Sequence, residues 1–337
     1  MHRTGTGSFP VICIAGGYGF LVHHRSLGRS GLEVSRLGLG LMTWGNQTDE
    51  HEAREQLTAF VDAGGTLLDT AHTYAGGASE ELLGKLLSAV VPRRDVVVAT
   101  KAGVGIRRGA RVMDTSRGFL LSSLDLSLER LGLDSVDLWQ VHVWSDKAPI
   151  EETLSALDTA VSSGRAAYVG VSNWSGWRTA QAATWQHAGP SRAPLVSTQV
   201  EYSLLNRGIE HEVVPAAMGL GLGILPWSPL GRGVLTGKYR TGTPADSRGA
   251  SEMSQFVDGY RDEAASYVVE AVVKAADGLG WTPLEVALAW VRDRPGVTAP
   301  IVGARTAAQL RQALAVEERT LPNELMEALD DASADRR

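Results

Sequence analysis

The chain reads Leu67-Leu68-Asp69-Thr70-Ala71-His72-Thr73-Tyr74 where a short apolar run meets an acidic residue. This pattern predicts a buried strand that ends at Asp69, followed by a loop that carries Tyr74. A helix is then expected to begin near Ser79, a residue type that commonly caps helices. An unpaired carboxylate among apolar neighbours is costly, so Asp69 needs a cation or a hydrogen-bond donor beside it. Another part of the chain must supply that partner.

Short apolar runs of the same kind recur along the chain and alternate with segments of helical periodicity. The predicted strands span residues 37–41, 67–69, 96–100, 136–141, 166–171, 195–200, 223–227 and 297–301. Strands without polar alternation are typical of a parallel sheet that helices cover. About eight strand–helix cycles of this length indicate an α/β fold, the (β/α)8 TIM barrel. An N-terminal β-hairpin is predicted over residues 25–35, and extra C-terminal helices over 306–315 and 323–332.

The competing fold is a doubly wound parallel sheet, which usually carries a glycine-rich fingerprint in its first strand–helix turn. The early glycines of this chain lie in Leu37-Gly38-Leu39-Gly40, before and inside a predicted strand rather than in such a turn. The barrel is therefore the favoured fold.

The 337 residues are 44% hydrophobic and 21% charged, with a net charge of -6. This size and composition fit a single barrel domain over residues 25–337 with ample core. The charge is mildly acidic and dispersed, so a nucleic-acid partner is not expected. A single cysteine, Cys13, fits a reducing compartment, and the sequence has no cysteine–histidine spacing typical of a metal site.

Residues 1–24 differ from the rest and are interpreted as an N-terminal extension. Their apolar stretch is weak and interrupted by glycines, and His23-His24-Arg25 follows it, so a secretory signal is disfavoured. No later apolar run is long enough to span a bilayer. We therefore expect a cytoplasmic protein without a membrane partner. The sequence does not define the role of this extension. It does not define the oligomeric state either, and it allows a homo-oligomer.

Polar residues close several of the predicted strands, and in a barrel these strand ends converge on one face. Lys101 and His142 each directly follow a predicted strand. With Asp69 and Tyr74 they suit the reduction of a carbonyl group, which needs a hydride donor and a proton donor. Tyr74 would donate the proton, a Lys101 cation would lower the tyrosine pKa, and Asp69 would hold Lys101 ionised. A neutral His142 would donate a hydrogen bond to the carbonyl oxygen.

Each of these residues also has a plainer interpretation. Asp69 could cap the loop, and Lys101 could be a solvated lysine at a strand end. His142 could be a core histidine, and Tyr74 an ordinary loop tyrosine. Their joint position on one face favours a catalytic group. A lyase that forms a Schiff base on Lys101 is an alternative barrel chemistry, but a lysine paired with Asp69 would stay protonated and non-nucleophilic.

Six motifs of the chain are also found together in a known family. They are Leu68-Asp69-Thr70-Ala71 with Tyr74, Ala99-Thr100-Lys101, Gln140-Val141-His142, Gly170-Val171-Ser172-Asn173, Gln199-Val200-Glu201-Tyr202-Ser203 and Trp227-Ser228-Pro229-Leu230-Gly231. From about Arg25 to its last helix, the chain resembles the aldo-keto reductase superfamily. The order of elements is most similar to the branch of bacterial general aldehyde reductases and potassium-channel β-subunits. The resemblance implies a (β/α)8 barrel, an extended NADPH (NADP+) and a catalytic tetrad of Asp69, Tyr74, Lys101 and His142.

The resemblance also implies where the cofactor binds. The residues assigned to its nicotinamide and pyrophosphate are Ser172, Asn173, Gln199, Trp227, Ser228, Leu230, Gly231, Gly233 and Lys238. Ser172, Asn173 and Gln199 would hold the nicotinamide carboxamide, and Trp227 would stack on the ring. Lys238 would reach a phosphate.

The adenosine-phosphate segment of the family matches a stretch that contains Gly303 and Arg305. Arg305 is the candidate ligand of the 2′-phosphate, because a guanidinium binds phosphate oxygens in pairs. Family members usually carry an asparagine for the adenine where this chain has Ala313. Gln309 and Gln312 are the candidate substitutes, and the adenine contacts are not defined by the sequence.

The substrate pocket is less defined by the sequence. Trp44 and Trp144 follow strand ends and are predicted as apolar walls, which suggests aromatic or otherwise hydrophobic carbonyl substrates. The resulting hypothesis is an NADPH-dependent oxidoreductase that reduces aldehydes or ketones to alcohols. The alternative is an NADP(H)-binding sensor or auxiliary subunit with slow turnover. The physiological substrate and the preferred direction are not defined.

Overall fold

The computed structural model describes residues 22–87, 89–245, 247–251 and 254–336. Its strands are β1 His24–Ser26, β2 Glu33–Ser35, β3 Gly38–Gly40, β4 Leu67–Asp69, β5 Val97–Ala102, β6 Val104–Arg107, β7 Ala110–Met113, β8 Val136–Val141, β9 Ala166–Ser172, β10 Leu195–Glu201, β11 Gly223–Trp227 and β12 Ile301–Gly303. Its α-helices are α1 Glu50–Asp62, α2 Ala78–Leu86, α3 Arg117–Leu131, α4 Ile150–Ser162, α5 Gly176–His187, α6 Val213–Leu220, α7 Gln255–Asp258, α8 Glu263–Leu279, α9 Pro283–Arg292, α10 Ala307–Leu314 and α11 Asn323–Ala332.

Eight of the strands form a closed parallel barrel in the order β3-β4-β5-β8-β9-β10-β11-β12, with β12 pairing back onto β3. This confirms the predicted (β/α)8 barrel. The strands are short and their side chains are almost entirely buried, because the barrel interior covers one face and the helices cover the other. The α10 and α11 helices are the extra C-terminal helices that the sequence predicts.

The β1–β2 hairpin packs at the end of the barrel where the strands begin. Its Leu27 is fully buried in one cluster with residues from the first half of several strands, including Leu67 and Val196. Gly28 has a φ of +59°, and a Cβ there would lie 2.4 Å from Gly221 O, so only glycine fits this close approach. The hairpin thus closes this end and leaves the opposite end for the functional residues.

The last barrel strand is displaced from its predicted position at 297–301. The described strand β12 is Ile301–Gly303, while Val297 forms only an isolated bridge with Ile224. Pro300 lies between the two and cannot donate a ladder hydrogen bond, although its carbonyl accepts one from Gly38 N at 2.9 Å. Periodicity cannot locate such a boundary, because residues 297–301 are apolar on both sides of the proline apart from Thr298.

A second hairpin, β6–β7, was not predicted from the sequence. It follows directly on β5 and turns at Arg108 and Gly109, whose φ angles of 51° and 77° are those of a tight two-residue turn. Arginine is an unusual residue at such a position, and arginines and glycines interrupt the apolar residues of the segment, so it carries little strand signal. Because β5 ends at the functional end of the barrel, this hairpin lies there too.

The N-terminal extension is described only from Val22 onward. Val22 is buried and its backbone N–H donates to Ala63 O at 2.8 Å, and His24 begins β1. Residues 1–21, including Cys13, lie outside the described part of the chain. Of the helices in the described ranges, none combines the length and the apolar character needed to cross a bilayer.

Candidate active site

Asp69 and Lys101 form a buried ion pair at the ends of two adjacent strands. The register of β4 with β5 sets Asp69 opposite Ala99, so Lys101 lies two residues further along β5. Lys101 Nζ is 2.7 Å from Asp69 Oδ2 and also donates to Thr70 O at 2.8 Å. Gln199 Nε2 donates to the other carboxylate oxygen at 2.9 Å. Both partners of the pair are thus hydrogen-bonded, as a buried charge requires.

The environment keeps Lys101 charged. Burial lowers the pKa of Lys101, but Asp69 and the Tyr74 hydroxyl raise it more, and the net direction is above its ordinary value. A lysine held as an ammonium ion is a poor nucleophile, because only the neutral amine attacks a carbonyl group. This geometry argues against the Schiff-base alternative.

Tyr74 lies on a tight turn at the start of Tyr74–Gly77, beside the ion pair. Its hydroxyl accepts a hydrogen bond from Lys101 Nζ at 3.4 Å. Burial raises the pKa of Tyr74, and the Lys101 cation offsets only part of that rise. The expectation that lysine brings the tyrosine pKa below its ordinary value is therefore wrong for this structure. Tyr74 remains a protonated phenol at neutral pH.

The loop that carries Tyr74 is braced by residues that the sequence did not suggest. Arg130 Nη1, from α3, donates to His72 O at 2.8 Å and to Glu80 Oε2 at 3.2 Å. Glu80 is buried and also accepts from Thr100 Oγ1 at 2.6 Å. A Cβ at Gly77 would lie 2.3 Å from the Arg130 guanidinium carbon, so the turn needs glycine there.

Ser79 does not cap the helix that follows, contrary to the sequence prediction. The α2 helix begins at Ala78, and the Ser79 hydroxyl donates to Leu41 O at 2.8 Å. The same oxygen lies 2.9 Å from Thr70 Oγ1. Ser79 therefore ties the end of β3 to the loop after β4, a contact that local sequence cannot reveal.

His142 follows β8 and lies against Tyr74. The two rings meet edge to face with their centroids 5.9 Å apart. Burial, followed by the charges of Lys101 and Arg111, lowers the pKa of His142 to about 3. Among the described residues, no group hydrogen-bonds to its buried Nδ1. His142 is thus a neutral imidazole with unused hydrogen-bonding capacity.

The residues predicted for the nicotinamide lie together beside this group. Asn173 Nδ2 donates to His142 O at 2.9 Å, and Asn173 Oδ1 accepts from Trp227 Nε1 at 2.9 Å. Ser172 Oγ lies 3.0 Å from Asn173 Nδ2. Asn173 has a φ of 61°, a left-handed conformation that asparagine tolerates better than most residues. Gln199 Nε2 donates to Asp69, so the Gln199 amide oxygen is the atom that can accept a hydrogen bond from a ligand.

One cavity of about 1170 Å³ extends over this end of the barrel. Asp69, Tyr74 and His142 line it, together with every predicted cofactor residue except the buried Gly231. Lys101 lies behind this wall and contacts it by a hydrogen bond to the Tyr74 hydroxyl. The volume exceeds the range of about 300–1,000 Å³ that is typical of single drug-sized ligands. It leaves room for a dinucleotide and a second molecule.

The donors at the far end of this cavity fit the phosphates of such a cofactor. Gly233 has a φ of 92°, and a Cβ there would lie 3.0 Å from Lys238 Nζ. The absence of a side chain at Gly233 therefore leaves room for the Lys238 ammonium group beside the backbone. The Arg305 guanidinium has no hydrogen-bond or ion-pair partner in the described part of the chain. Gln309 Oε1 accepts from Arg305 N at 3.0 Å. The Glu52 carboxylate accepts from Ala307 N and so occupies one donor at the start of α10.

Neither tryptophan predicted for the substrate pocket lines the cavity. Trp44 is fully buried, and its Nε1 donates to Gln56 Oε1 at 3.0 Å. Trp144 packs edge to face on Trp174, with ring centroids 4.8 Å apart, under the Arg178 guanidinium. The cavity is lined instead by Met42, Val104, Ile106, Arg111 and Phe256. We call the part beside Arg111, whose charge acts on Tyr74 and His142, the substrate end.

A cationic side chain links the cavity wall to the loop that contains α7. Arg232 Nε and Nη2 bind the two Glu201 carboxylate oxygens at 3.1 and 3.0 Å. Arg232 Nη1 donates to Phe256 O at 2.7 Å, and the Tyr260 hydroxyl donates to Glu201 Oε1 at 2.9 Å. We call Glu201, Arg232, Phe256 and Tyr260 the loop latch. It holds the loop against the end of β10.

Comparison with known proteins agrees with this arrangement. The profile of the Aldo/keto reductase family matches residues 36–334. The chain is 37% identical over 316 residues to the uncharacterized oxidoreductase YrpG of Bacillus subtilis (strain 168), covering 90% of this chain and 94% of the relative. It is 37% identical over 294 residues to a probable voltage-gated potassium channel subunit beta of Oryza sativa subsp. japonica, covering 84% and 87%.

A third relative is the L-glyceraldehyde 3-phosphate reductase of Escherichia coli (strain K12), 33% identical over 324 residues, with 93% of each chain covered. The family comprises oxidoreductases that reduce carbonyl groups with NAD(P)H. The matched region contains the whole barrel and all the candidate site residues. The chain therefore belongs to the aldo/keto reductase family.

Proposed function

We propose that the chain is an NADPH-dependent reductase that converts aldehydes or ketones to alcohols, with Tyr74 as the proton donor. One observation carries this proposal. The Tyr74 hydroxyl lies 3.4 Å from Lys101 Nζ, on the wall of the cavity that the candidate cofactor residues line. A phenol beside a buried cation, facing a cavity large enough for cofactor and substrate, is suited to general acid catalysis.

Bound NADPH would supply the hydride. Tyr74 would donate its hydroxyl proton to the carbonyl oxygen of the substrate as negative charge develops there. Burial raises the pKa of Tyr74, which keeps that proton in place at neutral pH. Lys101 would stabilise the tyrosinate that remains, and Asp69 holds Lys101 charged and oriented for this role.

His142 would orient the carbonyl group. Its pKa of about 3 makes it neutral, so one ring nitrogen carries a proton and donates, while the other accepts. A neutral donor can stabilise the developing oxyanion without competing with Tyr74 for the role of acid. The edge-to-face contact of the two rings supports a shared target for both donors.

The choice of NADPH over NADH rests on Arg305. Its guanidinium lines the cavity and has no partner among the residues that the structure describes, which suits it to the 2′-phosphate. Ser172, Asn173 and Gln199 would bind the nicotinamide carboxamide, and Trp227 would stack on the ring. Lys238 would contact the pyrophosphate beside Gly233.

The names of the relatives support two functions. The Escherichia coli relative is named a reductase, whereas the rice relative is named a probable channel subunit. The second candidate for this chain is thus an NADP(H)-binding sensor or auxiliary subunit with slow turnover. The position of a neutral His142 on the cavity wall beside Tyr74 favours the enzyme, because an oriented neutral donor is needed for catalysis and not for binding the cofactor.

Loss of NADPH absorbance in the presence of 4-nitrobenzaldehyde tests the proposal. We expect many turnovers per enzyme molecule, with a hydride-transfer step in a single turnover that is at least as fast as cofactor release, measured in parallel from the fluorescence of bound NADPH. A hydride-transfer step that is slower than cofactor release with every member of a panel of aldehydes and ketones would favour the sensor. A cytoplasmic location and a homo-oligomer stay predictions, which fractionation of cells and sedimentation of the purified chain would test.

A further inference from the structure

The β6–β7 hairpin presents two different side chains to the substrate end of the cavity. Ile106 lies directly opposite Arg111 in the antiparallel register, so their side chains share one face of the hairpin. Both line the cavity, and the Ile106 side chain is 74% exposed. Arg107 pairs with Ala110 on the opposite face. The cavity therefore meets an apolar side chain and a cation side by side.

Arg111 differs from its neighbour Arg107 in having no counter-charge. Arg107 Nη2 lies 3.3 Å from Asp114 Oδ2. The Arg111 guanidinium is exposed, and within the described ranges it makes no hydrogen bond or ion pair. A guanidinium offers five N–H donors in a planar arrangement that matches a carboxylate or a phosphate. Arg111 is thus available to bind an anion.

The other charges of the cavity wall have roles already. In the described part of the chain, the charged side chains on the wall, His142 apart, are Asp69, Arg111, Arg232, Lys238 and Arg305. Asp69 is neutralised by Lys101, and Arg232 by Glu201. Lys238 and Arg305 lie among the residues that fit the cofactor phosphates. Arg111, at the substrate end, is the charged side chain of this set that has no such role.

The position of Arg111 relative to the catalytic group agrees with this assignment. Burial is the main cause of the low pKa of His142, and the cations of Lys101 and Arg111 add to it. The charge of Arg111 also opposes the burial that raises the pKa of Tyr74. Arg111 therefore lies close enough to the catalytic group for one substrate molecule to contact both.

We propose that Arg111 determines substrate specificity by binding the carboxylate or phosphate group of an anionic aldehyde or ketone, while Ile106 contacts the apolar part of the same molecule. This inference rests on the proposed reductase function and defines its substrate class. It replaces the expectation of purely hydrophobic carbonyls, which depended on Trp44 and Trp144. A guanidinium and an anionic group pair best through two parallel hydrogen bonds.

Two pairs of para-substituted benzaldehydes, each an anionic aldehyde and a neutral analogue, test the inference. The first pair is 4-carboxybenzaldehyde and its neutral methyl ester, and the second is 4-formylphenyl phosphate and 4-methoxybenzaldehyde. The kcat/KM of each is measured with NADPH for the wild type, for Arg111→Gln and for the control Arg107→Gln. The control removes an equal charge from the same hairpin but on the face away from the cavity.

We expect Arg111→Gln to lower kcat/KM for the anionic member of at least one pair by about 10- to 100-fold, and to leave the neutral members within about twofold. The pair that responds identifies the carboxylate or the phosphate as the group bound. Arg107→Gln should change none of the four values by more than about twofold. An equal loss for charged and neutral substrates, or an equal effect of the control, would overturn the inference.

A binding measurement separates failure of this inference from failure of the proposed function. Calorimetric titration with 4-(hydroxymethyl)benzoate, in the presence and absence of NADPH, needs no turnover. If the wild type reduces no aldehyde yet binds this anion more tightly than Arg111→Gln does, the anion site stands and the reductase function falls. If the neutral aldehydes are reduced and Arg111→Gln binds the anion as tightly as the wild type, the reductase function stands and the anion site falls.

Discussion

Lys101 Nζ lies 2.7 Å from Asp69 Oδ2 inside the barrel, and both side chains are almost completely shielded from solvent. The pair forms the floor of the candidate active site, because the Lys101 ammonium group also donates a hydrogen bond to the Tyr74 hydroxyl. A buried ion pair adds little stability by itself, but loss of one partner leaves the other charge uncompensated.

We therefore predict that Asp69→Asn lowers the free energy of unfolding by about 3–5 kcal/mol at neutral pH, because Lys101 then remains as an unpaired buried cation. Urea denaturation followed by far-UV circular dichroism measures this. The double variant Asp69→Asn with Lys101→Met should recover most of the stability and none of the activity, since methionine needs no counter-charge. An Asp69→Asn protein that unfolds at the wild-type urea concentration would contradict the assignment.

The pH dependence of the reaction follows from the two catalytic pKa directions. Burial lowers the pKa of His142 to about 3, and burial raises that of Tyr74 above its ordinary value. His142 is then neutral and Tyr74 protonated throughout the range from about pH 6 to 9. We predict that kcat/KM for 4-nitrobenzaldehyde is flat over this range. An inflection near the ordinary histidine pKa of about 6.5 would show that His142 titrates in the free enzyme.

Arg305 should distinguish the two nicotinamide cofactors. Arg305→Gln is expected to raise the KM for NADPH by about 10- to 100-fold and to leave the KM for NADH unchanged, because only NADPH carries the 2′-phosphate. Steady-state kinetics with each cofactor measures this. The matched control is Arg311→Gln on α10, whose exposed side chain lies 3.9 Å from Glu55 and does not line the cavity. Equal effects of the two substitutions would argue against a specific phosphate contact.

The loop latch should slow the release of the cofactor. Glu201→Gln removes the doubly hydrogen-bonded partner of Arg232 and weakens the hold on Phe256, which lines the cavity. We predict NADPH dissociation about tenfold faster, measured by stopped-flow fluorescence. Glu270→Gln is the control, because it breaks an exposed pair with Arg240 and exposed pairs contribute little. A wild-type dissociation rate for Glu201→Gln would contradict a latch function.

The parts of the fold that were predictable are those that repeat along the chain. Short apolar strands and amphipathic helices indicated the barrel, and strand ends indicated Asp69, Lys101 and His142, because parallel strands bring their carboxyl ends to one face. The predicted strand boundaries agree with the structure to within a few residues. The shift of β12 past Pro300 was not predictable from periodicity.

What was missed depends on contacts between distant parts of the chain. Trp44 follows a strand end as predicted, but Gln56 on α1 provides a buried partner for its ring nitrogen and it packs in the core. Arg130 braces the Tyr74 loop from α3. The direction of the Tyr74 pKa depends on how far burial outweighs the Lys101 charge, and sequence alone contains no measure of burial. The β6–β7 hairpin, with Arg111, was missed because its strands are only four residues long and an arginine occupies its turn.

The rate of a single turnover in Tyr74→Phe tests the central claim most directly. NADPH-saturated enzyme is mixed with 4-nitrobenzaldehyde, and NADPH absorbance is followed for the wild type and the variant. Quenching of tryptophan fluorescence, to which Trp227 should contribute, verifies that both bind NADPH equally. Loss of the phenol should slow the reaction by about 10²- to 10⁴-fold without weakening cofactor binding. A wild-type rate in Tyr74→Phe would show that another group donates the proton.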